Sequence, residues 1–115
     1  MIAATPTQRV PYKVEKVLHL GGMDWPIPSL SLRQSLKMHG PVQRLLGRVQ
    51  GGADSLSLTE QDLRDLTDTC FEALQRAHPE LSRDQFEDMT VTQIEMLDAF
   101  GIIVGMVYPP PPEGR

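Results

Sequence analysis

The sequence predicts a mainly α protein: a small helical domain of about four to five helices with an N-terminal β-hairpin. Three observations predict it. Apolar residues return at helical spacing in separate stretches beyond residue 31, helix-start signatures of the Ser/Thr-x-x-Gln kind precede them, and period-2 alternation is confined to residues 10–20. With 115 residues the chain can bury one modest core. The expected organisation is a flexible N-terminal arm over residues 1–9, a single helical domain with its hairpin over 10–108, and a proline-rich tail over 109–115.

The hairpin is read first. From Val10 the even positions Val10, Tyr12, Val14, Leu18 and Leu20 are apolar, with Lys16 and Val17 breaking the alternation, as a half-buried strand requires. Gly21-Gly22-Met23-Asp24 supplies turn chemistry, and Trp25-Pro26-Ile27-Pro28 returns as a short partner whose prolines cannot donate to a ladder. Trp25 is expected to anchor the hairpin on the helices, with a place in a partner interface as the alternative.

Ser31 and Gln34 have the spacing of a capping box, so the first helix opens near Leu32. Gly40-Pro41 is expected to interrupt it, since proline disfavours a helical residue before it. Val42, Leu45, Leu46 and Val49 then mark one apolar face before Gly51-Gly52, and residues 51–57 read as a loop. The next helix opens at Thr59, with Glu60, Asp62 and Asp65 near its positive end. Its apolar stripe runs Leu63, Leu66, Cys70, Ala73, Leu74 and Ala77, with Phe71 beside it, and His78-Pro79 stops it. Ser82 with Gln85 opens a short turn through Phe86. Thr90 with Gln93 opens the last helix, whose stripe is Ile94, Leu97, Gly101 and Val104, and which is apolar nearly all round from Ala99 to Val107.

Composition excludes several function classes. A single cysteine, Cys70, permits no intramolecular disulfide, and three histidines in three different segments supply no zinc spacing. Cys70 lies on an apolar stripe, where a core thiol is the expected role. The longest apolar run, 99–108, is about half of the ~20 residues that cross a bilayer, and no signal-peptide pattern opens the chain. No phosphate loop, dinucleotide turn or nucleophile elbow is present, and the acidic residues are spread as on a solvated face. The expectation is a non-enzymatic chain with no cofactor and no metal.

Charge is divided unevenly. Residues 1–50 hold seven Lys/Arg against two Asp/Glu, a net +5, and residues 51–115 hold four against thirteen, a net −9, for −4 overall. Such asymmetry implies either internal pairing of the halves or a dipolar surface that steers a charged partner. Arg33, Lys37, Arg44 and Arg48, at i, i+4 spacing, are the candidates for a phosphate-binding stripe, with pairing to the acidic Thr59 helix as the preferred role. In the last helix Gly101 and Gly105 let another backbone approach closely, and a single small core leaves part of that helix for a partner or for a second copy.

The segments Tyr12-Lys-Val-Glu-Lys-Val-Leu-His-Leu-Gly-Gly-Met-Asp-Trp-Pro-Ile-Pro-Ser-Leu-Ser-Leu-Arg-Gln34, Leu58-Thr-Glu-Gln-Asp-Leu-Arg-Asp-Leu66 and Glu72-Ala-Leu-Gln-Arg-Ala-His-Pro-Glu-Leu-Ser-Arg-Asp-Gln-Phe86, followed by the apolar last helix, together resemble the small tail assembly chaperones of long-tailed phages. The likeness spans residues 12–107. It implies a non-enzymatic protein of the infected bacterial cytoplasm that binds the tape measure protein, and secondarily the tail tube protein, and is absent from the mature virion. Self-association is a further expectation; nucleic acid and membrane are not expected partners. In that family a frameshifted longer form is common, and the tail from Pro109 is where a short form would end. No family site residues map onto this chain, so the partner-binding candidates come from its apolar positions: Leu97, Phe100, Ile103, Val104 and Val107. Asp62, Asp65 and Asp68 are second candidates, for steering basic partner segments. The competing readings are a virion subunit such as a head-tail connector or tail-terminator component, and, behind it, a small DNA-binding regulator.

Overall fold

Two glycines set the geometry of the N-terminal hairpin. In the computed structural model, which describes residues 12–53 and 56–108, strand β1 (Lys16–Leu20) pairs antiparallel with β2 (Met23–Ile27), and only Gly21 and Gly22 connect them. Their φ angles of 65° and 76° are those of a type I′ turn, which matches the twist of the flanking strands and which residues with a Cβ adopt at a cost. Met23 and Asp24, expected in the turn, therefore belong to β2, where Met23 faces Leu20 and Asp24 faces His19 at 2.6 Å. The strand also starts later than the alternation suggests. Tyr12 and Val14 precede it, and the ladder extends back only through the Glu15 N–H, which donates to the Ile27 carbonyl at 2.8 Å.

Leu18, Leu20 and Ile27 are buried, and Pro26, unable to donate, uses its carbonyl instead. That oxygen accepts from the Tyr12 hydroxyl at 2.9 Å and lies 3.0 Å from His78 Nε2, which ties the hairpin to the end of the second helix. Trp25 is half-buried beside it, its Nε1–H donating to the Leu20 carbonyl and its ring meeting His78 edge-on at 5.1 Å. Trp25→Ala is expected to cost about 2 kcal/mol in urea unfolding, below the ~3–5 kcal/mol of a fully buried aromatic. A wild-type midpoint would show that the ring anchors nothing.

Four helices follow: α1 (Leu32–Gln50), α2 (Glu60–Gln75), α3 (Arg83–Glu87) and α4 (Gln93–Val107). Each opens on a complete capping box, with Ser31–Gln34, Thr59–Asp62, Ser82–Gln85 and Thr92–Glu95 exchanging side-chain and backbone hydrogen bonds. The last box lies two residues beyond the expected Thr90–Gln93. Its carboxylate suits the choice: Glu95 accepts from the Thr92 N–H, and the backbone N–H groups of Gly21 and Gly22 in the hairpin turn also favour its charged form, as they could not for a neutral Gln93 side chain. The Thr92 backbone hydrogen bond, with the amides of the turn, holds the Glu95 carboxyl below its usual range.

Gly40-Pro41 does not break α1, which runs through both. An interior proline costs about 3 kcal/mol, partly through a clash with the preceding Cβ, which Gly40 lacks. The remainder is offset by tertiary packing. Met38, Val42 and Leu45 are buried on the side of α1 that faces α2, in the most extensive helix–helix contact of the domain, and Gln34 reaches across to donate to the Glu72 carbonyl at 2.7 Å. Helix α1 ends where Gly51-Gly52 predicts, Gly52 taking a φ of 102°.

The core joins Leu66, Cys70, Ala73 and Leu74 of α2 with the buried residues of α1 and the hairpin, Phe86 of α3, and Met96, Ala99, Phe100 and Ile103 of α4. Helix α4 packs on both α2 and β1. Two expected stripes are displaced. In α2 Leu63 is only half-buried while Asp62, Asp65 and Thr69 are buried, Ala77 lies beyond the end of the helix at Gln75, and in α4 the inward side is Met96, Ala99, Phe100 and Ile103, leaving Ile94 60% exposed. The expected arm 1–9 and tail 109–115, with Val10, lie outside the described residues.

Candidate protein-binding site

An open apolar hollow lies between the end of α1 and the outer side of α4. It is lined by Leu46 and Val49 of α1, Ala53 beyond it, and Leu97, Phe100, Gly101 and Val104 of α4, and has a volume of about 310 Å³. That is the lower end of the ~300–1,000 Å³ of ligand pockets, room for apolar side chains of a partner. Among the described residues that line it none is charged. Val49 is 41% exposed at one rim, and Ile94 and Tyr108 extend the apolar surface along α4.

The five partner-binding candidates read from the sequence divide by depth. Leu97 and Val104 are half-buried and line the hollow; Phe100 forms its floor but is only 4% exposed; Ile103 is fully buried in the core and cannot be reached; Val107 is half-buried, packed against the core, and outside the hollow. The other wall, Leu46 and Val49, was legible only as an apolar helix face. Nothing in the sequence says that the end of α1 lies against the side of α4.

The charge asymmetry resolves as internal pairing along the α1–α2 seam. Arg44 donates to both oxygens of Asp65, at 3.0 and 2.8 Å, and Arg48 to both oxygens of Asp62, at 3.1 and 2.9 Å. Both carboxylates are buried, Asp65 accepting also from Gln61 and Asp62 from the Thr59 N–H. Arg48 and Thr59 together hold the Asp62 carboxyl below the usual carboxylate range, the guanidinium hydrogen bond being the largest influence. Asp62 and Asp65 therefore do not face outward to steer a partner, and Asp68 is paired with Arg83 at 2.8 Å. Of the four residues proposed as a phosphate stripe, Arg44 and Arg48 are turned into the seam, and Arg33 and Lys37 remain exposed.

A second depression between α2 and α3 has an apolar floor of Leu63, Phe86, Met89, Val91 and Met96 under a rim of Glu60, Arg64, Arg83 and Glu87. These rim charges pair with each other or with Asp68, Arg64 bonding Glu60 and Arg83 bonding Glu87. Burial pushes the Cys70 thiol up to about 12, so it stays protonated and unreactive inside the core. Among the described residues no three His, Cys, Asp or Glu side chains gather as a metal site, and no helix is long and apolar enough to cross a membrane.

Comparison of the chain with protein-family models, with curated proteins and with solved structures finds no match.

Proposed function

We propose that this chain is a non-enzymatic phage tail assembly chaperone that holds an amphipathic helix of the tape measure protein in the hollow between α1 and α4, with the tail tube protein as a second client. The observation that carries the reading is the hollow itself: an open surface with no charged side chain among the described residues that line it, on a chain whose seam charges are paired. Apolar grooves between helices take amphipathic helices through anchors spaced i, i+3 or i+4, and a tape measure protein is a long helical client of that kind. The segment-by-segment likeness of residues 12–107 to tail assembly chaperones supports the same reading. Its place of action is then the cytoplasm of the infected host, before the tail tube closes around the tape.

The test is co-expression with the tape measure protein of the same genome, scored by soluble recovery of both. Wild-type chain is expected to keep the client soluble and co-purify with it. Val104→Asp places a carboxylate in the hollow and is expected to weaken capture by more than about tenfold while the fold persists. A client that stays insoluble, or capture that ignores Val104→Asp, overturns the reading. Recovery of the chain in purified virions would favour a structural subunit instead.

A further inference from the structure

We propose that a second copy of this chain docks on the outer face of α4, antiparallel to it and centred on Gly101, to give a weak two-fold dimer. At 100° per residue, Ile94, Leu97, Gly101, Val104, Gly105 and Tyr108 fall in one sector of α4, opposite the buried sector of Met96, Ala99, Phe100 and Ile103. The sector is open. Ile94 and Tyr108 are 60% and 44% exposed, and a Cβ at Gly101 or Gly105 would meet nothing within 4 Å among the described residues, so a second helix can approach the backbone closely there.

What selects a copy of this chain is that the face is complementary to itself in one orientation. A two-fold axis perpendicular to α4 at Gly101 sets residues equally far on either side of it against each other. Ile94 then meets Tyr108, and Leu97 lies level with Gly105, where no side chain obstructs it, and next to Val104. The charges agree with this arrangement. Asp98 and Gly105 are seven residues apart and so lie on one line along the helix. Beside Gly105 and Met106 on that flank sits Lys16 of β1. The axis keeps like flanks together, so Asp98 of each copy comes beside Lys16 of the other, twice per dimer. Neither side chain has an ion-pair partner among the described residues, and both are exposed. Glu15, in the same depression as Lys16, accepts instead from the Ser29 hydroxyl at 3.4 Å. A parallel two-fold pairing would bring unlike flanks together and leave Asp98 of one copy and Lys16 of the other on opposite sides of the crossing. One helix crossing buries less than the ~1,200 Å² of a standard interface, so the dimer forms at roughly micromolar or higher concentration. It also covers Leu97 and Val104, so a second copy and a client helix exclude one another.

Sedimentation of the purified full chain from about 1 to 500 µM tests the proposal without any client, and circular dichroism checks that each variant is folded. The wild type is expected to pass from monomer to dimer over that range, and Gly101→Gln to remain monomeric. Asp98→Lys and Lys16→Asp are each expected to raise Kd about tenfold, and the two combined to return it to within about threefold of wild type. A wild type that is monomeric throughout, a dimer that tolerates Gly101→Gln, or a double reversal no tighter than the single ones overturns the proposal. Because no client is present, these outcomes are separate from the fate of the chaperone reading.

Discussion

Ile103→Asp is expected to abolish cooperative unfolding by far-ultraviolet circular dichroism, leaving a chain largely unfolded at 25 °C. Ile103 has no exposed surface, so the substitution loses the ~2–5 kcal/mol of a buried aliphatic side chain and adds the several kcal/mol of an unpaired buried charge. A domain of this length has roughly 6–17 kcal/mol in total. Val104→Asp, one residue along the same helix, points to the hollow and is expected to keep a cooperative transition. The contrast matters because both residues look alike in sequence. An Ile103→Asp protein with wild-type melting would show that α4 does not pack on α2 and β1 by this side.

The second large effect concerns the α1–α2 seam. Arg44→Met leaves the carboxylate of Asp65, 1% exposed, with the Gln61 amide as its remaining side-chain partner, whereas Asp65→Asn leaves a guanidinium already half in solvent. Arg44→Met is therefore expected to lower Tm by more than about 5 °C, and by more than Asp65→Asn does, although both break the same pair. Equal losses would mean that the seam is wet. Acid titration probes the neighbouring pair. Asp62 has a folded value depressed below 3.8, so its contribution is full above that pH and is lost as pH falls through the lower folded value. Wild-type Tm should thus fall more steeply below about pH 4 than that of Arg48→Met, which lacks the main cause of the depression. Glu72, raised by burial, acts with the opposite sign on acidification, but it does so in both proteins and cancels in the comparison.

Local chemistry made much of this fold legible. Gly21-Gly22 between alternating strands predicts the hairpin, and Ser31, Thr59 and Ser82 each sit at a helix start because a side-chain oxygen must meet amide donors there. Where the reading failed, a distant contact decided. Pro41 is helical because Met38, Val42 and Leu45 pack on α2; α4 is capped by Thr92 with Glu95, whose charge the nearby hairpin turn favours; and Asp62 and Asp65 are buried because arginines of another helix meet them. The candidate site was half legible for the same reason. A helix that is apolar nearly all round carries no sign of which side is inward, so Leu97 and Ile103 could be separated only by seeing what covers each.

The docking of α4 on β1 also orders events at the ribosome. The hairpin is made before the helix that covers it, which, with the Glu95 carboxylate near its turn, comes from beyond residue 92. Until that stretch has left the exit tunnel, Leu18 and Leu20 lack a wall, and an isolated two-stranded hairpin is marginal in water. Residues 28 to beyond 92 must therefore be synthesised before the hairpin gains its lasting contacts. A client helix that reaches the nascent chain earlier meets an open core rather than a finished hollow.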